Sequence, residues 1–152
     1  MNSMARACSM VVNLLFPRGC AGCDKPDEVL CEACRALFSQ PTAQSFDGVA
    51  MQRWFACGWY RGTVRKAVLA WKDHGDEECD RAFADAICAL AKASGVIDFV
   101  RDRHGSCHDV VVVPAPSSPA SIRRRGRKHM MPIAKHLAGF LREVNRLRGD
   151  GA

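Results

Sequence analysis

The stretch Cys20-Ala21-Gly22-Cys23 is followed, after a gap of seven residues, by Cys31-Glu32-Ala33-Cys34. Its pattern, C-x2-C-x7-C-x2-C, brings four thiols within fifteen residues. A two-residue gap lets one tight turn aim both sulfurs at a single point, and Zn²⁺ prefers four such soft ligands in a tetrahedron. The pattern therefore predicts a structural zinc site on Cys20, Cys23, Cys31 and Cys34.

Other uses of these thiols fit the sequence less well. A redox pair needs one C-x-x-C at a helix start inside a βαβ unit, and neither pair lies in one. A disulfide framework needs an oxidising compartment, and a catalytic thiol is excluded if all four sulfurs bind the metal. Five further cysteines are scattered along the chain, and we expect them to be reduced and partly buried, as in a cytoplasmic protein: Cys8, Cys57, Cys79, Cys88 and Cys107.

Length and composition are those of a small globular protein. The 152 residues can hold one ordinary domain, or a small module plus a partial one. A hydrophobic content of 48% excludes a disordered chain. The net charge is +6, and would be +4 with four zinc-bound thiolates and one Zn²⁺. This charge suits phosphate or nucleic-acid partners, and equally suits solubility alone.

Two segments near the N-terminus suggest how the chain is divided into domains. Residues 7–16 form an apolar run that is too short to span a membrane and lacks the cleavage site of a signal peptide. We expect it to be a short amphipathic helix ended by Pro17. Residues 39–48 are rich in turn formers. The sequence thus predicts an N-terminal helix and zinc ribbon over 1–40, a linker over 41–50 and a second domain over 51–152.

The second domain has the patterns of an α/β fold. The aromatic-rich residues 54–60 predict a strand, and residues 101–108 predict a polar loop whose two His and one Cys lack the spacing of a metal site. Apolar residues at helical spacing predict three helices, from Val64 to Gly75, from about Cys79 to Ala93, and from Met130 to Val144.

A run of four valines, Val110 to Val113, predicts a strand that is buried on both faces, as in a parallel sheet. Ligands bind at the carboxyl ends of such strands, and here a Pro/Ser loop over residues 115–122 follows. The next six residues, 123–128, are five cations and a glycine. They are either a cradle for phosphate or pyrophosphate or a solvated basic loop.

The order of these segments resembles the ComF family of bacterial competence-associated proteins, in which an N-terminal zinc ribbon precedes a type I phosphoribosyltransferase-like domain. The resemblance covers residues 14 to about 141. It implies a partial phosphoribosyltransferase-like parallel-sheet domain, a role in nucleotide metabolism or DNA uptake, and phosphoribosyl pyrophosphate as ligand. It rests on Leu14-Leu15-Phe16-Pro17, the four cysteines, Tyr60-Arg61-Gly62, Val113-Pro114-Ala115-Pro116 and Arg125-Gly126.

The resemblance also implies site residues. The four cysteines match the zinc ligands. The positions implied to bind phosphate are Pro114, Ala115, Arg125, Gly126, Arg127 and Lys128, although Arg127-Lys128-His129 replaces the commoner aromatic-Asn-Gln. Family members continue to an acidic pair and Thr-Thr-Gly, which hold the ribose phosphate, and their chemistry needs Mg²⁺. After Val113 the only acidic residues here are Glu143 and Asp150, so we expect a transferase-like protein that is catalytically incomplete as given.

A binding module is the alternative function. In that case the zinc ribbon and the basic loop would contact DNA or a protein of the uptake machinery. Salt-dependent retention of DNA would favour this alternative. Codons for the acidic motif in the DNA beyond residue 152 would favour the transferase.

Overall fold

Helices make up most of the regular structure in the computed structural model, which describes residues 18–40, 42–45, 53–98 and 110–149. The elements in chain order are α1 (Glu32–Ala36), β1 (Thr42–Ser45), β2 (Arg53–Ala56), α2 (Gly62–Asp73), α3 (Cys79–Ala93), α4 (Pro119–Arg125) and α5 (Met130–Gly149). The predicted helix at 7–16 and the predicted loop at 101–108 lie outside the described residues. No helix in the described part of the chain is long and apolar enough to cross a membrane.

The two strands form one antiparallel pair, with Thr42 opposite Ala56 and Ser45 opposite Arg53. β1 lies inside the stretch predicted as a linker. β2 covers only the first part of the predicted strand at 54–60, because the chain then turns. The two strands are the whole of the sheet in the described ranges, so a parallel sheet is not among them.

The three long helices confirm the predictions made from apolar spacing. α3 has the predicted bounds, and α5 begins at Met130 with Pro132 in its first turn, where its missing N–H costs no helical hydrogen bond. α2 buries the predicted stripe at Val64, Ala67 and Trp71. Helical hydrogen bonds are local, so the periodicity of the sequence was sufficient to find these elements.

The predicted interior strand at Val110 to Val113 is a correction. These residues belong to no strand, and Val111 and Val113 are 77% and 79% exposed. A strand becomes interior only when neighbouring strands supply hydrogen bonds and other elements cover its faces. Among the described residues β1 and β2 pair with each other and not with this segment, and three of its four valines, Val110, Val111 and Val113, are exposed.

This valine segment should bind hydrophobic dyes, because contiguous exposed apolar surface is uncommon on soluble monomers. Replacing both Val111 and Val113 with Thr keeps the β-branched shape and removes apolar surface. We expect the double variant to bind less dye and scatter less light, with an unchanged melting temperature. A wild-type protein that is monodisperse and binds no dye would contradict this expectation.

The hydrophobic core joins the cysteine module to the long helices. Phe83 of α3 connects the two parts. The centroid of its ring lies 5.2 Å from that of Phe38 in the cysteine module and 5.1 Å from that of Trp71 in α2, and both contacts are edge to face. Arg18 adds ion pairs to Asp76 and Glu78 at the turn before α3. The buried cluster consists of Cys20, Leu30, Cys31, Cys34, Phe38, Val64, Ala67, Trp71, Cys79, Phe83, Ala84 and Ile133.

Candidate metal centre and cationic pocket

A tight turn holds the first cysteine pair. The Asp24 N–H donates to the Cys20 carbonyl at 2.8 Å, and the Cys20 N–H donates to the Lys25 carbonyl at 2.8 Å. A backbone bridge between Gly19 and Pro26 closes the turn. Gly19 and Pro26 therefore lie where the backbone reverses.

The start of α1 holds the second pair. Cys31 is the N-cap residue of this helix and Cys34 lies in its first turn. The Arg35 N–H donates to the Cys31 carbonyl at 2.8 Å, and the Arg35 Nε donates to the Leu30 carbonyl at 2.8 Å. The two pairs are tied together directly, because the Cys31 N–H donates to the Cys20 Sγ at 3.3 Å.

The four sulfurs form one cluster. Every pair of Sγ atoms lies within 4.8 Å, and the Cys23 and Cys31 Sγ atoms are 3.6 Å apart. A tetrahedron with Zn–S bonds of about 2.3 Å places its sulfurs about 3.8 Å apart. The structure thus brings together all four cysteines predicted from the sequence, in an arrangement that fits a structural zinc site.

The charges at the cluster also favour a bound cation. Burial raises the pKa of the Cys20 thiol, but backbone N–H groups of Cys31, Gly22 and Cys23 outweigh it and lower that pKa to about 6. Burial and the three neighbouring thiols raise the pKa of Cys34. Four thiolates cannot share so small a space without a compensating charge, which a divalent cation supplies.

The cluster packs directly against α2. A Cβ added at Gly22 would lie 2.7 Å from the Thr63 Cγ2 and 3.0 Å from the Cys34 Sγ. Only a glycine therefore lets the first turn approach both the second cysteine pair and the start of the helix. Loss of the metal should consequently disturb α2 as well as the turns themselves.

A second candidate site is a cavity of about 450 Å³ between α2 and the loop that precedes α4. His129 lies in its wall, 6% exposed, with its ring edge to face with Trp71 at 5.0 Å. Burial, followed by the charges of nearby cations, lowers the pKa of His129. The polar residues that line this cationic pocket are Lys72, Ser117, Ser118, Ser121, Arg125 and His129.

The two cations of the pocket are not equivalent. Arg125 donates to the Asp73 carboxylate from Nε at 3.0 Å and from Nη2 at 2.9 Å. These hydrogen bonds lower the pKa of Asp73, and the pairing offsets much of the charge of Arg125. Lys72 is half-buried and has no ion pair within the described ranges. Lys72 therefore supplies the less compensated charge of the pocket.

Three of the predicted phosphate-binding residues line an adjoining cavity of about 250 Å³, namely Pro114, Ala115 and Lys128. Ala115 also lines the cationic pocket, as does Arg125. The loop between them is shaped by Ser118, whose Oγ accepts from the Ser121 N–H at 3.2 Å and so starts α4.

The other two residues predicted to bind phosphate, Gly126 and Arg127, have structural roles. Gly126 ends α4 in the left-handed conformation, with φ 73°, which favours glycine. Arg127 donates to Asp80 from both terminal nitrogens, at 2.8 and 3.0 Å, and its guanidinium lies 6.0 Å from the centre of the Trp71 ring. Arg127 is thus already bound to a carboxylate.

Sequence reasoning missed how Lys72 and His129 come together. No local signal joins them, because Lys72 lies on α2 and His129 lies far along the chain, in the turn before α5.

The comparisons with known proteins add no relative. Neither the protein-family models, nor the curated proteins, nor the solved structures contain a match to this chain. The features of the structure that bear on function are therefore the cysteine cluster and the cationic pocket.

Proposed function

We propose that this chain is a ComF-like protein of the phosphoribosyltransferase superfamily that binds a phosphate-bearing ligand, such as phosphoribosyl pyrophosphate, in the cationic pocket. The observation that carries the proposal is the position of the pocket. Lys72, Arg125 and His129 line it together with Ala115 and Ser117 of the loop that follows the valine segment. Anions bind where cations and hydroxyl groups converge in a partly dehydrated space.

The cysteine cluster supports the same proposal, since a zinc ribbon is the other part that the resemblance implies. In this proposal zinc is structural and holds the turns against α2. Mg²⁺ is implied by the family alone, and the residues after Val113 offer no acidic pair to hold it. The proposed cellular role is nucleotide metabolism or DNA uptake in competence, in the cytoplasm.

The parallel sheet of the proposed domain rests on the composition of the valine segment and on the resemblance alone. Val110 to Val113 have the composition of an interior strand but no partner strand within the described ranges. For residues 1–152 alone we expect binding of phosphate without turnover, which an assay with labelled phosphoribosyl pyrophosphate and a set of bases checks.

The pocket is tested by replacing Lys72 with Met, which keeps the length of the side chain and removes its charge. We expect the affinity for inorganic phosphate and for phosphoribosyl pyrophosphate to fall about ten- to a hundredfold, the loss of roughly one charge-assisted hydrogen bond. Titration calorimetry at low salt measures it.

Lys66→Met is the matched control, because Lys66 lies on the same helix, is exposed and lines neither cavity. It should change the affinity little. Equal losses for both variants would mean that phosphate responds only to net charge, and the assignment of the pocket would then be wrong.

Binding of single-stranded nucleic acid is a second candidate function, favoured by one surface. Trp59 and Tyr60 are 62% and 58% exposed, and residues 48–72 contain no acidic residue. Exposed aromatic rings beside cations are typical of proteins that stack on unpaired bases. The exposed cations that follow the two aromatic residues in the sequence are Arg61, Arg65 and Lys66.

Fluorescence anisotropy with a labelled oligonucleotide tests this candidate. If the surface binds nucleic acid, the double variant Trp59→Ala and Tyr60→Ala should weaken binding of a single strand more than binding of a duplex, with a marked dependence on salt. Equal weakening for the two would exclude base stacking at this surface.

A further inference from the structure

The four thiols of the cluster differ in their access to solvent. Cys20 is fully buried, and Cys31 and Cys34 are each 3% exposed. Cys23 is exposed. One sulfur of the cluster is therefore open to a small oxidant in solution, while the other three are covered by the core. In zinc sites the ligand thiols are deprotonated, and it is the thiolate that reacts.

The exposed sulfur also has a neighbour with which it can form a bond. The Cys23 and Cys31 Sγ atoms are 3.6 Å apart, and a disulfide needs about 2.05 Å. The two atoms must therefore move about 1.5 Å closer for the bond to form. The other buried thiols described, Cys79 and Cys88, lie on α3 and are not members of the cluster.

We propose that Cys23 is a site of oxidative modification by peroxide, and that Cys31 resolves it into a disulfide. The Cys23 sulfur attacks one oxygen of hydrogen peroxide, the O–O bond breaks, and sulfenic acid and hydroxide form. The Cys31 thiolate then attacks the Cys23 sulfur, the S–O bond breaks and a second hydroxide leaves. Two thiolates lose two electrons in total, and one peroxide is reduced to two hydroxides, which take up protons to give water.

The modification would act on the fold through the metal. Two of four ligands are consumed, so the cluster can no longer hold zinc tightly. The turn that carries Cys23 is packed against the start of α2 through Gly22 and Thr63, so release of zinc should loosen that helix. This inference rests on the zinc site proposed above and goes beyond the proposed phosphate binding.

The test uses the full chain, whose zinc content is measured first. A protein without zinc would overturn the zinc site itself, before any oxidant is added. Zinc-loaded protein is then treated with hydrogen peroxide, and the released zinc is followed with a chromophoric chelator. We expect one zinc per chain to be released as a Cys23–Cys31 disulfide forms, and reducing agent with added zinc to restore the starting state. Mass spectrometry of the digested protein identifies the linked peptides.

Two variants serve as controls. Cys23→His keeps a ligand of a kind found in structural zinc sites, so it should retain zinc and lose the peroxide-driven release. Cys57→Ser removes a half-buried thiol outside the cluster and should release zinc as the wild type does.

Several outcomes would overturn the proposal. One is a wild-type protein that keeps its zinc while Cys57 is oxidised. Another is a Cys23→His protein that releases zinc at the wild-type rate. A third is zinc release accompanied by a disulfide that does not include Cys23. If Cys23→His fails to fold, the order in which thiols of the wild type become resistant to alkylation decides the matter. The thiols of Cys23 and Cys31 must then become resistant to alkylation before the others, at the rate at which zinc is released.

Discussion

The Cys31→Ser variant is expected to lose its zinc and to unfold residues 18–38. Cys31 contributes one of the four sulfurs of the cluster, and its side chain lies in the core, where the residue is 3% exposed. A serine oxygen is a poor zinc ligand, and structural zinc supplies on the order of 10 kcal/mol to modules of this size. The buried cysteines are also part of the main hydrophobic cluster, so the effect should extend into α2 and α3.

Elemental analysis and hydrogen exchange measure this outcome. The variant should contain no zinc, and residues 18–38 should lose their protection from exchange. Cys57→Ser is the control, since Cys57 lies outside the sulfur cluster, and it should keep both zinc and protection. A Cys31→Ser protein with one zinc per chain would show that the four sulfurs do not act together.

The Phe83→Ala variant should lower the free energy of unfolding by about 3–5 kcal/mol, the usual cost of removing a buried phenyl ring. Phe83 is 6% exposed and touches both Phe38 and Trp71. Its removal therefore leaves a cavity where the cysteine module meets α2 and α3. Since whole domains are stable by only about 5–15 kcal/mol, this loss is a large share of the total stability.

Urea unfolding measures this loss, with an unchanged slope as the sign that only stability has changed. Phe140→Ala is the matched control, because Phe140 is a half-buried phenylalanine of α5 that stacks under Lys92. Phe140→Ala should lower the free energy of unfolding by clearly less than Phe83→Ala does. Equal losses of unfolding free energy in the two variants would mean that Phe83 does not connect the cysteine module to the helices.

The elements that could be predicted from the sequence are those with local signals. The zinc ligands follow from spacing, because a two-residue gap within a turn fixes both sulfurs. α3 has the predicted bounds because its apolar positions repeat with the helical period. The close approach of Gly22 to Thr63 could not be predicted in this way, since the packing partner lies far along the chain.

What could not be predicted depends on contacts between distant residues. A run of four valines indicates a preference for a strand, but pairing needs a partner that the local sequence does not specify. Arg127 looked free to bind phosphate in the basic run, yet it binds Asp80, which lies 47 residues earlier. In the same way, Lys72 and His129 meet in one pocket only because the turn before α5 places the His129 ring against Trp71 of α2.

The four sulfurs at the edge of the helical core form the site where we expect a zinc ion. X-ray absorption at the zinc edge on the purified protein shows directly which atoms surround the metal. We expect one zinc per chain with four sulfur neighbours at about 2.3 Å. A protein grown with zinc that contains none, or a zinc ion whose neighbours are mainly nitrogen or oxygen, would contradict it.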